Sequence, residues 1–157
     1  RSLHGVSLMK LWWFLPLWRT LHIAGMAMLM GVVVAVDLRI FGVGKGLPLR
    51  PLQRLMPWAA GGFAVSLASG ALLVGANPEQ YLGAPLNLAF YAKMLGVALI
   101  GLNDILYFAT GLKREVDGVE AGESASASAK IVAGVSLTLW FSVIYLGITL
   151  PFFGVVS

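Results

Sequence analysis

The stretch LHIAGMAMLMGVVVAV, residues 21–36, is apolar apart from one histidine, and it ends a run that begins at residue 11. Three further apolar runs follow at residues 58–75, 86–110 and 131–155. A helix needs roughly 17 to 25 apolar residues to cross a bilayer, and a backbone in hydrocarbon must satisfy its own hydrogen bonds. The sequence therefore predicts an all-α protein, an integral membrane four-helix bundle that forms one transmembrane domain over residues 1–157.

The composition excludes several classes of protein. Apolar residues make up 59% of the chain and charged residues 11%, whereas soluble domains average about 45–50% and 25%. The chain has no cysteine, which excludes disulfides, thiolate-bound metals and iron–sulfur clusters. No serine–histidine–acid set, pair of catalytic carboxylates or phosphate-binding glycine loop is recognisable, so we expect no enzyme active site.

Basic residues are distributed unevenly among the connections between the runs. The first and third connections, residues 37–57 and 111–130, contain Arg39, Lys45, Arg50, Arg54, Lys113, Arg114 and Lys130. The second, residues 77–85, carries Glu79 as its only charged residue. An excess of Lys and Arg marks cytoplasmic loops, so both termini are expected on the outer, periplasmic side. No basic stripe interleaved with aromatic residues suggests a nucleic-acid partner.

The two basic connections differ in character. In the first, Pro51 predicts a short helix that lies at the membrane surface, with leucines toward lipid and arginines toward phosphates. The third contains four acidic residues followed by SASASA, residues 124–129. Because this segment has little apolar surface, we expect it to be mobile or a frayed helix. We favour a linker over the alternative of a docking strip for a basic partner.

Small residues recur along the second run. Gly62, Ser66 and Gly70 are four residues apart, so they share one face of a helix and leave a smooth surface for another helix. This pattern predicts a helix-packing interface. The neighbouring helix belongs either to the same chain, which is the interpretation we favour, or to another protein.

Ionisable residues inside the runs form two predicted polar tiers. Arg19, His22 and Lys93 fall in one half of the membrane, and Asp37, Arg39 and Asp104 fall in the other. Lys93 and Asp104 are eleven residues apart, which returns to nearly the same helical face, with Asn103 beside it. The structural alternative, which we favour over a proton path, is that Lys93 extends toward the headgroups and that Asp104 pairs with Arg39 or caps a polar contact.

His22 is the strongest single candidate for a cofactor ligand. Met26 and Met30 follow at four-residue steps on the same face, and imidazole and thioether groups both ligate metals. The stripe predicts an axial ligand for a b-type haem or, as a less favoured option, a copper(I) site, with Arg19 one turn away for a haem propionate. The alternatives are that the methionines fill space and that His22 forms a hydrogen bond between helices. A second haem-ligating histidine would have to come from His4 or from another chain.

Several short motifs carry a resemblance to a known family. They are PLWRTLHIAG at residues 16–25, DLRIFG at 37–42, MPWAAG at 56–61, FYAKM at 90–94 and GLN at 101–103. Together they resemble an uncharacterised family of small four-helix bacterial membrane proteins. The chain is similar, more distantly, to copper-resistance D and cytochrome b-like membrane proteins.

The resemblance implies the same four-helix fold in a bacterial inner membrane. That family has an acidic residue at the place of Arg19 and a histidine near the place of Phe108. Without these two groups, the chain lacks a carboxylate that could orient His22 and a second histidine for a metal pair.

These observations predict a non-catalytic accessory or assembly subunit. Its expected partners are membrane lipid and either further copies of itself or a larger membrane redox complex. The alternative function is a haem- or copper(I)-binding membrane protein that uses His22 in electron or metal transfer.

Overall fold

The computed structural model describes residues 12–76, 78–82 and 88–153 of the chain. All regular structure in these residues is helical. The helices are α1 Phe14–Phe41, α2 Leu49–Gln53, α3 Met56–Ala76, α4 Pro78–Leu82, α5 Leu88–Ala109, α6 Leu112–Asp117 and α7 Ala127–Phe153. Four helical segments are long and apolar enough to cross a membrane. The first is α1, the second is α2 continued by α3, the third is α5 and the fourth is α7. The prediction of an all-helical chain with four helices long and apolar enough to cross a membrane is confirmed.

Helix α1 continues past the predicted end of the first apolar run. It includes Asp37 and Arg39 and ends at Gly42, whose φ of 106° is in the left-handed region that favours glycine. The amide of Gly42 donates to the carbonyl of Arg39, and the amide of Val43 donates to that of Leu38. Two charged residues that the sequence places in a connection therefore belong to the end of a helix.

Helices α1 and α3 form the most extensive helix pair in the described chain. Gly25 and Gly62 lie at its centre: a Cβ added to Gly62 would lie 2.6 Å from the carbonyl oxygen of Gly25. Ser66 and Gly70 continue the contact, since Ser66 lies against Gly25 and Gly70 lies against the ring of His22. The small-residue stripe of α3 thus packs on α1 of the same chain.

The second helix pair is α5 with α7, where the side chain of Val143 lies over Gly96. Helix α7 also contacts α1 and so joins the two pairs. By contrast, α3 and α5 make no more than marginal contact. The described bundle is therefore open along one side, between α3 and α5.

The first and third connections pack together at one end of the bundle. The amide of Leu49 donates to the carbonyl of Val119 over 3.4 Å, and the amide of Gly122 donates to the carbonyl of Lys45 over 2.7 Å. Leu49 and Val116 are fully buried there. The third connection is predicted to be mobile or a frayed helix, and the structure places four of its apolar side chains in the buried cluster with Leu49 of α2 and with Val36 and Ile40 of α1. They are Val116, Val119, Ala125 and Ala129.

Arg39 joins these two connections. Its side chain is 2% exposed. The guanidinium group donates to four backbone carbonyls at 2.5 to 3.5 Å, those of Leu47, Lys45, Glu120 and Glu123. Among the described residues Arg39 makes no ion pair with Asp37 or Asp104, and its donors are bonded to these carbonyls instead.

Candidate functional site: a groove between α3 and α5

Two cavities lie along the open side of the bundle, and Phe63, Val97 and Trp140 line both of them. The first, which we call the histidine cavity, has a volume of about 450 Å³, and its wall includes His22, Met26, Gly70, Lys93 and Gly147. The second, which we call the carboxylate cavity, has a volume of about 260 Å³, and its wall includes Asp37, Asn103, Asp104, Tyr107 and Ser136. The groove therefore carries basic groups in one cavity and acidic groups in the other.

His22 is held by α3. Its Nδ1 lies 2.8 Å from the carbonyl oxygen of Ser66 and 3.3 Å from the hydroxyl of Ser69. Because a carbonyl oxygen only accepts hydrogen bonds, Nδ1 carries the proton and donates it. In the neutral ring, Nε2 then keeps its lone pair. A backbone carbonyl that fixes the tautomer in this way is a common feature of histidines that ligate metals through Nε2.

The absence of a side chain at Gly70 leaves the space that the imidazole ring of His22 occupies. A Cβ at Gly70 would lie 3.1 Å from Cε1 of His22, which is closer than normal van der Waals contact. The sequence predicts Gly70 as a packing residue, but nothing in the sequence pairs it with His22.

The four predicted cofactor residues are only partly brought together. Met26 lines the histidine cavity beside His22. Met30 packs against the apolar core around Leu29, outside the wall of that cavity. Arg19 is exposed and also lies outside that wall. The predicted stripe is therefore divided among three environments.

The donor set fits haem better than copper. Within the described chain, no three His, Cys, Asp or Glu side chains come together as a metal site. His22 and Met26 alone do not complete a copper(I) site, and Met30 does not join them. A haem needs at least one axial ligand from the protein, and in this cavity Nε2 of His22 is the nitrogen that would supply it. His4 lies outside the described residues.

Lys93 enters the same cavity from α5. Its side chain lies over Gly147 of α7, where a Cβ would lie 3.3 Å from Nζ and 3.7 Å from Cε. No hydrogen bond or ion pair joins Nζ to a described residue. The side chain lies against α7, a placement that the sequence does not predict because Gly147 is 54 positions away.

The carboxylate cavity contains the two acidic groups of the second predicted polar tier, Asp37 and Asp104. Asp37 is 7% exposed and has a hydrogen bond with Ser136, while its Oδ2 has no hydrogen-bond partner in the described chain. Asp104 lies in the same wall but is exposed on the open side of the bundle. Asn103 donates to the carbonyl of Val132 over 3.4 Å, which ties α5 to α7.

Neither carboxylate is paired with a basic side chain. The one ion pair among the described residues joins Lys113 and Asp117 at 2.7 Å, within α6. The predicted alternative of an Asp104–Arg39 pair is therefore wrong, because Arg39 is bound to the connections. The Gln53 amide donates to the Tyr107 hydroxyl at the edge of this cavity, a contact that the sequence does not predict.

No family model, curated protein or solved structure matches the chain. The geometry of the groove is therefore the basis for the functional proposals that follow.

Proposed function

We propose that the chain is a non-catalytic accessory subunit that assembles with a larger complex in a bacterial inner membrane. The observation that carries this proposal is the pair Asp37 and Asp104, two carboxylates in a membrane-spanning groove with no cation in the described chain to balance them. A charged side chain at membrane depth costs at least about 2.5 kcal/mol unless it is paired or wet. A partner helix in the open side of the bundle would remove that cost.

The chemistry of the groove indicates which kind of partner fits. A transmembrane helix with a Lys or Arg side chain at the depth of Asp104 would complete the ion pairs. A second copy of the chain fits less well, because Arg39 is committed to backbone carbonyls. Arg19 and Lys93 lie toward the opposite ends of α1 and α5 from Asp37 and Asp104. We therefore favour a partner of different sequence over self-association.

Both termini lie on the outer side in this proposal. The basic residues of the two packed connections support a cytoplasmic position for that end of the bundle. Because the chain has no cysteine, single substitutions report the orientation directly. In intact cells, an impermeant maleimide should label Glu79→Cys and should label Ser124→Cys only after the membrane is opened. The reverse pattern would invert the topology.

Quantitative affinity purification from native membranes tests the accessory role. Replacing Asp104 by Asn keeps the shape of the side chain and removes its charge, so the partner should be lost in large part. Asp117→Asn is the matched control, because Asp117 lies in α6 and pairs with Lys113. Equal partner recovery with both variants would contradict the proposal.

The second candidate function is haem binding at His22. It is favoured by the hydrogen bond from Nδ1 to Ser66, which leaves Nε2 as the ligand nitrogen, and by the 450 Å³ cavity that His22 lines. Bound haem would supply one-electron transfer. A reduced-minus-oxidised spectrum of gently purified protein should show a haem band that His22→Ala abolishes. A band retained by that variant would remove His22 as the ligand.

A further inference from the structure

The histidine cavity has the size and access of a ligand site. Its volume of about 450 Å³ falls within the range of roughly 300–1,000 Å³ that is typical of small-molecule sites. It lies on the side of the bundle where α3 and α5 do not pack, so a ligand reaches it through the hydrocarbon of the membrane. Most of its wall is apolar, which favours a lipophilic molecule.

The charged side chains in the wall of the cavity indicate which chemical group a ligand would carry. Lys93 is the one Lys or Arg side chain in its wall, and no Asp or Glu among the described residues lines it. His22 adds an acceptor nitrogen, since its proton is on Nδ1. A cation in apolar surroundings without a counter-ion favours a ligand that brings an anionic group.

Two glycines create the space that this arrangement needs. The side chain of Lys93 lies over Gly147 of α7, and the ring of His22 lies over Gly70 of α3. Phe63 and Trp140, in edge-to-face contact with a 6.4 Å separation of ring centroids, continue the wall toward the carboxylate cavity. An extended apolar chain can follow this wall along the groove.

We propose that the histidine cavity binds an apolar molecule with a carboxylate group, which pairs with the ammonium group of Lys93 while the apolar part lies between α3 and α5. Two sources offer this chemistry, a fatty acid of the membrane and the propionates of haem. The inference goes beyond the accessory role, because it uses the opposite end of the groove from Asp104 and needs no protein partner.

The test uses the full chain in lipid nanodiscs with photoactivatable palmitic acid and the matched hexadecanol. A charge-assisted hydrogen bond contributes about 1.5–3 kcal/mol, so the acid should label the groove at least about tenfold more than the alcohol below saturation. Lys93→Gln should abolish that preference. Arg19→Gln is the matched control, because Arg19 lies in the same half of α1 as His22 but is exposed outside the cavity wall.

A second variant distinguishes the loss of the ammonium group from a folding defect in Lys93→Gln. Gly147→Val should displace the Lys93 side chain and reduce labelling by the acid, whereas Gly75→Val should leave it unchanged, since nothing lies within 4 Å of a Cβ at Gly75. Equal labelling by acid and alcohol in the unmodified chain, or an acid preference that survives in Lys93→Gln, would overturn the proposal.

Competition distinguishes the two sources. If haemin displaces the palmitic acid probe and gives a Soret band that depends on His22, the carboxylate belongs to haem. If non-photoactivatable palmitic acid displaces the probe and haemin does not, the ligand is a membrane fatty acid and haem binding at His22 is excluded. Either result leaves the accessory proposal to be judged by partner recovery alone.

Discussion

Gly25 and Gly62 bring the backbones of α1 and α3 into direct contact. A Cβ on Gly25 would lie 2.7 Å from the carbonyl oxygen of Gly62, and a Cβ on Gly62 would lie 2.6 Å from the carbonyl oxygen of Gly25. Real Cβ atoms do not come that close to backbone atoms, and neither partner is a flexible side chain. The two helices therefore fit together only while both positions are glycine.

Gly62→Ala should destabilise the isolated protein by about 2 kcal/mol, because α1 and α3 must separate to admit the methyl group. Its neighbour provides a matched control. A Cβ on Gly61 meets only the end of Met28 at 3.9 Å, and alanine favours helix formation over glycine. Thermal unfolding in detergent should show a lower midpoint for Gly62→Ala and an unchanged or higher one for Gly61→Ala. Equal midpoints would argue against the contact.

Arg39→Gln should loosen the end of the bundle where α2 and α6 pack. The substitution removes donors to four backbone carbonyls in the two connections, and unsatisfied buried acceptors cost about 1–3 kcal/mol each. Limited proteolysis of the segment 118–126 should become faster. Arg50→Gln, at an exposed position in α2, should cleave at the original rate. Unchanged cleavage of Arg39→Gln would contradict the role of Arg39.

Asp37→Asn should raise the thermal midpoint of the isolated chain. The buried carboxylate has one oxygen without a hydrogen-bond partner in the described residues, and an unpaired charge is unfavourable in hydrocarbon. The amide keeps the shape and removes the charge. If the accessory proposal holds, the same variant should recover less partner from native membranes. A lower midpoint for Asp37→Asn would indicate that the charge is balanced within the chain.

Gly96 and Val143 should behave as a coupled pair. A Cβ at Gly96 would lie 2.7 Å from a methyl carbon of Val143, so Gly96→Ala requires that side chain to move. We expect Gly96→Ala to lower the midpoint and Val143→Ala to relieve part of that loss in the double variant. A double-mutant cycle should give a coupling of roughly 0.5–3 kcal/mol. Strict additivity would mean that α5 and α7 do not meet at these residues.

The sequence predicts the four long helices because continuous apolar runs leave few alternatives in a bilayer. It also identifies the α3 stripe through the spacing of Gly62, Ser66 and Gly70. It does not reveal the role of Arg39, whose partners are carbonyl groups and so carry no side-chain signature.

The groove is less predictable than the helices. His22 and Lys93 are recognisable in the sequence as ionisable residues that are unfavourable inside a membrane. Whether they line the same cavity depends on which helices do not pack against each other. Sequential helices are usually neighbours, whereas α3 and α5 remain apart here. Gly147 has no distinguishing spacing, and the spacing of Gly70 in the α3 stripe does not pair it with His22. The shape of the cavity is therefore seen only in the three-dimensional structure.

Photo-crosslinking from position 108 tests the accessory role most directly. Phe108 lines the carboxylate cavity and is 53% exposed, so a benzophenone in place of its ring would face a helix in the groove. The matched control is the same group at Ile131, which is exposed outside both cavity walls. In native membranes, position 108 should capture a transmembrane segment that contains Lys or Arg, and Asp104→Asn should abolish that product. Capture of lipid alone at position 108, or a protein product that Asp104→Asn leaves intact, would contradict the account.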